Sequence, residues 1–248
     1  MQTNTKIKLD ILAFGVHPDD VELGCAGTLL ASVHQGKKVG VVDLTRGELG
    51  TRGTVETRNE ESGKAAEVMQ LTVRDNLDMA DGFFQHNEEN LRKVISVLRK
   101  YQPDVVLCNA PKDRHPDHGR SSKLVTDAAF LSGLRKIETS IGDQQQQAWK
   151  PSYVFYYMQD RYLEPDFLFD ISDFQQKKLE AIKCYATQFY NPGLNEPNTY
   201  ISSPEFLETV AARAQILGKR IGVKYAEGFL SEKKIGISDF SSLIQHAT

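Results

Sequence analysis

Residues 9–45 read LDILAFGVHPDDVELGCAGTLLASVHQGKKVGVVDLT. The opening LDILAFGV predicts a buried strand, AGTLLASVHQG a helix closed by Gly36, and KKVGVVDLT a second strand. Both strands are continuously apolar rather than alternating, the pattern of strands covered on both faces of a parallel sheet. The order repeats downstream. TVETRNEESGKAAEVM (54–69) predicts a helix capped by Thr54, and VRDNLDM (73–79) an extended segment. NEENLRKVISVLRKY (87–101) predicts an amphipathic helix with Leu91, Val94, Ile95 and Leu98 on one face. PDVVLCNA (103–110) is another buried strand and GRSSKLVTDAAFLSGL (119–134) the next helix. Alternating strands and helices imply an α/β fold with a doubly wound, mostly parallel sheet.

The second half is less regular. PSYVFYYMQ (151–159) and FLFDIS (167–172) predict strands rich in aromatic and β-branched residues. DFQQKKLEAIKCYATQF (173–189) predicts a helix capped by Ser172 or Asp173. SPEFLETVAARAQILGKRIG (203–222) predicts another, with Ser203 as cap, Pro204 at its first position and Gly222 near its end. QQQQ (144–147), YNPGLNEPN (190–198) and the tail VKYAEGFLSEKK (223–234) read as loops. No composition break divides the chain, so one domain spanning 1–248 is expected.

The 248 residues are 40% hydrophobic and 25% charged, enough for a core that folds without disulfides or a structural metal. A net charge of −3 and a pI near 6.1 argue against nucleic acid or an anionic membrane as partner. No apolar run approaches the roughly 20 residues of a membrane span. The start, MQTNTKIKLDILAF, has no signal-peptide core. Cys25, Cys108 and Cys184 read as reduced, mostly buried thiols. The expectation is a cytoplasmic, soluble protein.

His17, Asp19, Asp20 and Glu22 crowd into six residues directly after the first strand, and HPDH (115–118) follows PDVVLCNA in the same way. In doubly wound sheets ligands bind beyond the carboxyl ends of the strands, at a topological switch point, so the two motifs meet there. Unpaired charges in such a place are costly to desolvate, and a bound cation removes that cost. A catalytic zinc takes three ligands from His, Asp or Glu and leaves a fourth position to water. His17 and Asp20 are three apart, with Pro18 stiffening the turn, and His118 completes a set of two imidazoles and a carboxylate. Zinc so held lowers the pKa of bound water from about 15.7 towards ~7. Asp19, beside a ligand, is placed to take that proton as general base. Glu22 is placed to hydrogen-bond a ligand, and His115 to face a substrate oxyanion or leaving group. His34, His86 and His246 have no such context and read as surface or structural residues.

LTRGELGTRGTVETRNEE (44–61) carries Arg46, Arg52 and Arg58 in a loop with Gly47, Gly50 and Gly53. Each arginine either clamps a carboxylate or oxyanion or pairs with the nearby glutamates, and spacing alone does not choose. The glycines do not form a phosphate-cradling GxxxxGK[ST] motif.

Three segments, VHPDDVELGCAGTL, TRGELGTRGTVETRNEES and HPDHGRSS, resemble the LmbE-like (PIG-L) family of zinc-dependent N-acetylglucosaminyl deacetylases. GKRIGVKYAEGF resembles the branch that makes bacillithiol, whose enzymes remove acetate from N-acetylglucosaminyl malate. The resemblance implies a Rossmann-like three-layer fold. It assigns Zn2+, or Fe2+ in its place, to His17, Asp20 and His118, and makes Asp19 the general base. It makes His115 a stabiliser of the tetrahedral intermediate and a proton donor, and Arg58 a contact to substrate or oxyanion. It also implies a small N-acetylated amino sugar as substrate and a homo-oligomer, a hexamer or smaller. For the malate carboxylates Arg46, Arg52 and Lys224 join Arg58 as candidate partners; Tyr190 and Tyr225 sit in loops that could border the pocket and read first as surface or packing residues.

Other classes fit less well. Two His and one carboxylate also form the facial triad of Fe(II) oxygenases, but those usually sit on β-barrels, which the alternation disfavours. A metal-dependent sugar-binding module without turnover needs neither Asp19 nor His115. Within the hydrolases, mycothiol precursors, chitin-derived sugars and glycolipid headgroups are the alternatives to the malate conjugate.

Overall fold

A computed structural model describes residues 7–240 and 243. The opening stretch forms β1 (Ile11–Gly15), α1 (Asp20–His34) and β2 (Val39–Thr45), the strands paired in parallel with Phe14 opposite Val42. The alternation continues through α2 (Val55–Met69), β3 (Val73–Met79), α3 (Glu88–Tyr101), β4 (Val105–Asn109) and α4 (Pro116–Leu131). A short hairpin, β5 (Ser140–Ile141) and β6 (Gln144–Gln145), precedes β7 (Tyr153–Tyr157) and β8 (Phe167–Asp170). The chain then runs through α5 (Gln175–Lys183), α6 (Phe206–Arg220) and β9 (Ala226–Leu230). The seven-stranded sheet has the order β3-β2-β1-β4-β7-β9-β8. The run from β3 to β7 is parallel, and β9 is antiparallel to both its neighbours. The chain winds outward from β1 in one direction and then from β4 in the other, so the switch point lies between these adjacent strands.

Residue alternation along β1 builds the three layers. Leu12 and Phe14 pack with Val94 and Leu98 of α3 and Leu124 of α4 on one face. Ala13 packs with Val21 and Leu29 of α1 and Ala181 of α5 on the other. Each such fully buried large aliphatic or aromatic side chain stabilises the fold by about 1.5–3 kcal/mol. The Thr54 cap forms as predicted and is reciprocal: Thr57 N donates to its Oγ1 (3.2 Å) and Thr54 N donates to Thr57 Oγ1 (2.7 Å). Thr54→Ala is expected to destabilise the protein by about 1 kcal/mol, read as a lower urea midpoint at unchanged m-value.

Several expectations need correction. The tail 223–234 is not all loop: it contains β9, whose AEGFL sequence hides a strand behind a charged residue and a glycine. Pairing between β7 and β8 buries it, and the Glu227 carboxylate finds internal donors. The helices begin earlier than the apolar runs suggested, inside the two histidine motifs, because α1 starts at Asp20 and α4 at Pro116. Neither Ser172 nor Asp173 caps α5, which starts after Phe174; Ser172 Oγ instead accepts from Lys224 N and Tyr225 N. Ser203 does not cap α6; Glu205 occupies that position without a side-chain bond. The glutamine tract contributes to the exposed hairpin β5–β6, and Gln146 is tied to Ser96 by two hydrogen bonds. No helix among the described residues is long and apolar enough to cross a membrane.

Candidate active site

The carboxyl ends of β1 and β4 open into a cleft of about 210 Å³. All six residues singled out by sequence line it, joined by Asp81, Arg114 and Gln159. Two tight turns aim the side chains. After β1 the chain reverses through Asp19, whose φ of 133° lies in the region that asparagine and aspartate tolerate better than most side chains. After β4, His115 occupies the N-cap of α4, with Pro116 at the first helical position, and its Nδ1 accepts from Asp117 N (3.3 Å). That bond leaves the ring proton on Nε2.

The three motif imidazoles converge. One nitrogen from each of His17, His115 and His118 lies within 4.8 Å of the others. Asp20 bridges two of them, with Oδ2 3.7 Å from His17 Nδ1 and Oδ1 3.2 Å from His118 Nε2. Four groups therefore surround one centre. The Asp20 carboxylate is fixed by donors from three elements: Val16 N and His17 N (both 3.0 Å), Asn109 Nδ2 (3.1 Å) and Gln159 Nε2 (2.7 Å). The outer nitrogens of His17 and His118 each meet a carboxylate. Asp81 Oδ1 lies 2.9 Å from His17 Nε2, and Asp113 Oδ2 lies 2.7 Å from His118 Nδ1. Such outer partners fix ring orientation and tautomer at metal sites.

The electrostatics match a cation-binding centre. Burial opposes charge on His118, yet Asp20 and Asp113 outweigh it and lift its pKa to about 10. Burial likewise opposes charge on His17, and the Asp81 hydrogen bond and the Asp20 charge override it in the upward direction. Burial disfavours the Asp20 carboxylate, but the His118 and His17 charges hold it well below the usual range. Imidazole nitrogens and a carboxylate, flanked by further carboxylates, are a donor set that fits a divalent metal such as zinc.

Asp19 stands apart from that set. Arg58 Nη2 donates to Asp19 Oδ2 (3.0 Å) and to Pro18 O (2.5 Å). Burial pushes the Asp19 pKa up to about 7 against the lowering effect of Arg58. Gly47 makes room for this arginine, because a Cβ there would lie 2.6 Å from Arg58 Nη1.

Other expected residues lie elsewhere. Glu22 does not touch a motif imidazole; its Oε1 accepts from Arg74 Nη1 and from Tyr185 OH (3.0 Å), in a buried cluster with Asp43. Asp81 and Asp113 occupy the supporting positions expected of it. Arg46 pairs with Asp78 (2.7 Å), Arg52 is buried 3.8 Å from Glu196, and Lys224 stands over the Tyr225 ring. None of these three lines the cleft; Tyr190 and Tyr225 do not line it either, in keeping with the surface or packing role read for them. His34 packs beside Phe174 and His86 pairs with Asp127, as structural residues do. His246 lies outside the described residues. Sequence reasoning passed over Asp81, Asp113 and Gln159. The rule that placed the histidine motifs applies to them, since each follows the carboxyl end of β3, β4 or β7.

Asp113→Asn keeps the side-chain volume but removes the charge behind His118. Zinc affinity is expected to fall about 10–100-fold, measured by competition with a chromophoric chelator.

Comparison with known proteins places this cleft in a family. The PIG-L profile, described as GlcNAc-PI de-N-acetylase, matches residues 12–129, the segment from β1 to α4. The diacetylchitobiose deacetylase of Thermococcus kodakarensis is 30% identical over 235 residues, covering 88% of this chain and 81% of that protein. The chain belongs to the PIG-L family. The crystal structure of the conserved protein TT1542 from Thermus thermophilus superposes with a TM-score of 0.83 at 34% identity, over 94% of this chain and 99% of that one. The N,N'-diacetylchitobiose deacetylase of Pyrococcus horikoshii superposes with a TM-score of 0.75 at 26% identity, over 92% and 85%. The PIG-L profile spans both histidine motifs and Arg58. The two structural matches extend over the second half as well, which supplies Gln159 and β9.

Proposed function

We propose that this chain is a metal-dependent N-deacetylase of an N-acetylglucosaminyl conjugate, with N-acetylglucosaminyl malate as its substrate. The observation that carries this reading is the convergence of His17, Asp20 and His118 at one centre, with the Asp19–Arg58 pair beside it. His17, Asp20 and His118 would hold the metal, zinc or Fe2+. Asp20 is preferred to His115 as third ligand because its carboxylate contacts both other rings. When bound, the metal acidifies the attacking water and polarises the acetyl carbonyl.

The protein groups do the rest. Asp19 receives the water's proton on Oδ1, while Arg58 holds Oδ2 and orients the carboxylate. His115, with Nδ1 engaged by Asp117 N, presents Nε2–H to the oxyanion. One such preorganised donor contributes about 10²–10³ in rate. Asp19 then returns its proton to the departing amine. Arg114 lines the cleft, and an adjoining recess brings Arg213 near it. Asp160 partners both, its Oδ2 3.7 Å from Arg114 Nε and its backbone O accepting from Arg213 Nη2 (2.6 Å), and the positive charge left over suits a substrate that carries carboxylates. Likeness to two diacetylchitobiose deacetylases supports the amino-sugar half of the reading.

The test is amine release by zinc-loaded protein from N-acetylglucosaminyl malate, N-acetylglucosamine and diacetylchitobiose, with a chelated control. Chelator-sensitive turnover of the malate conjugate, well above the other two, is the expected result. Turnover of diacetylchitobiose instead removes the malate assignment. No amine from any of them removes all three substrates and puts the substrate class itself back in question.

A further inference from the structure

We infer that Glu227, on the strand concealed in the tail, is a positioning residue for the acid-bearing turn of the site. It caps from another element the helix segment that follows the one on which that turn is mounted. The inference rests on the metal reading above.

The helix α1 is two segments joined at Cys25, whose φ of −148° and ψ of 16° are not helical. The first segment, Asp20–Gly24, follows Asp19 and carries Asp20; the second runs from Ala26 to His34. A break of this kind strands the first N–H groups of the second segment, which lack carbonyls one turn back. An N-cap side chain ordinarily accepts from the second or third of them, a task a cysteine thiol performs poorly. Here Glu227 performs it. Gly27 N donates to Oε1 (3.0 Å), and Thr28 N (2.7 Å) and Thr28 Oγ1 (2.6 Å) donate to Oε2. Lys178 Nζ of α5 completes the set on Oε1 (2.7 Å).

Two features tie this cap to the site. Gly24 abuts the Tyr157 ring so closely that a Cβ would lie 2.1 Å from Cδ2, and Tyr157 OH donates to Phe14 O of β1 (3.0 Å). The first segment is thus held between Tyr157 and the break that Glu227 stabilises. The neighbour of Glu227 supplies a second route: Gly228 O accepts from Met158 N (3.1 Å), one residue before Gln159, whose Nε2 donates to Asp20 Oδ1. The charge pairing with Lys178 is by itself a weak source of stability, since both members are only 3% exposed and buried ion pairs are often no better than apolar ones; the capping of Gly27 N and Thr28 N is what the carboxylate stabilises. What the carboxylate adds is a fixed direction for the turn that carries Asp19 and Asp20.

The experiment replaces both charges, Lys178→Met with Glu227→Met, in the full chain, and titrates zinc against a chromophoric chelator beside the wild type. A lower melting temperature, because Gly27 N and Thr28 lose their acceptor, with zinc affinity about tenfold weaker and kcat reduced at unchanged KM, both read at a temperature where the variant is fully folded, are the expected results. A folded double variant whose zinc affinity and kcat stay within twofold of wild type overturns the inference. If the double variant does not fold, Glu227→Gln, which keeps one acceptor oxygen, takes its place, with an intermediate loss expected and an unchanged affinity again overturning it. The wild-type titration comes first: failure of the wild type to bind zinc removes the metal reading, and this inference with it.

Discussion

Asp19→Asn should lower kcat by about 10²–10⁴-fold while zinc stays bound. Asparagine has nearly the same volume and tolerates the positive φ at this position, so the turn after β1 keeps its shape. Its amide oxygen still accepts from Arg58 Nη2, so the arginine keeps a partner. What disappears is a group able to take a proton. Asp20, one residue on, keeps all four of its internal donors, which come from Val16, His17, Asn109 and Gln159. Zinc content by elemental analysis and affinity by chelator competition should therefore match the wild type. A variant retaining more than about a tenth of wild-type kcat would lie outside the range for loss of a general base and would assign that role elsewhere. A variant that also loses zinc would mean that Asp19 is itself a ligand.

The contrast with Arg58 is informative. Arg58 is bound to Asp19 and to Pro18 O, and Gly47 yields space to it. Sequence spacing could not separate it from Arg46 and Arg52, because all three lie in one glycine-rich loop among glutamates. Folding separates them. Arg58 sits one turn into α2 and turns inward, whereas Arg46, half exposed, turns out to Asp78. A helix fixes direction in a way that a loop does not, and a single sequence carries no statement of where a loop points.

The first half of the fold was legible because β1 and β4 are uninterrupted apolar runs, β2 is nearly so, and its helices lie between the strands. Residues Leu12, Phe14 and Val42 reach the core whichever neighbours they meet. β9 was not legible, because a strand that buries a glutamate declares itself only through its partners, Gly27, Thr28 and Lys178. The same limit applies at the site. His17, Asp19, Asp20, His115 and His118 were visible as a pattern at two strand ends. Asp81, Asp113 and Gln159 were not, since a carboxylate or amide behind a histidine has the same sequence appearance as one in solvent. Glu22 shows the converse: it stands two residues from Asp20, yet the helix rotates it to the other side, where Arg74 and Tyr185 receive it.

His118→Ala should abolish stoichiometric zinc binding, a loss beyond the about 100-fold that removal of a supporting partner such as Asp113 produces. Two carboxylates meet at this imidazole, Asp113 on Nδ1 and Asp20 on Nε2, and both have side chains only 2% exposed. Removing the ring therefore costs more than a ligand, because it leaves two buried acids without the group between them. Breaking a buried pair in this way costs about 3–5 kcal/mol in general. The lower end applies here, since Asp20 retains its donors and Asp113 Oδ1 still accepts from Arg161 N (2.9 Å). The metal-free variant should accordingly unfold at lower denaturant than metal-free wild type, and added zinc should raise the midpoint of the wild type but not of the variant. Full zinc occupancy in His118→Ala would exclude His118 as a ligand and pass its place to His115, whose ring nitrogen is already within 4.8 Å of the others.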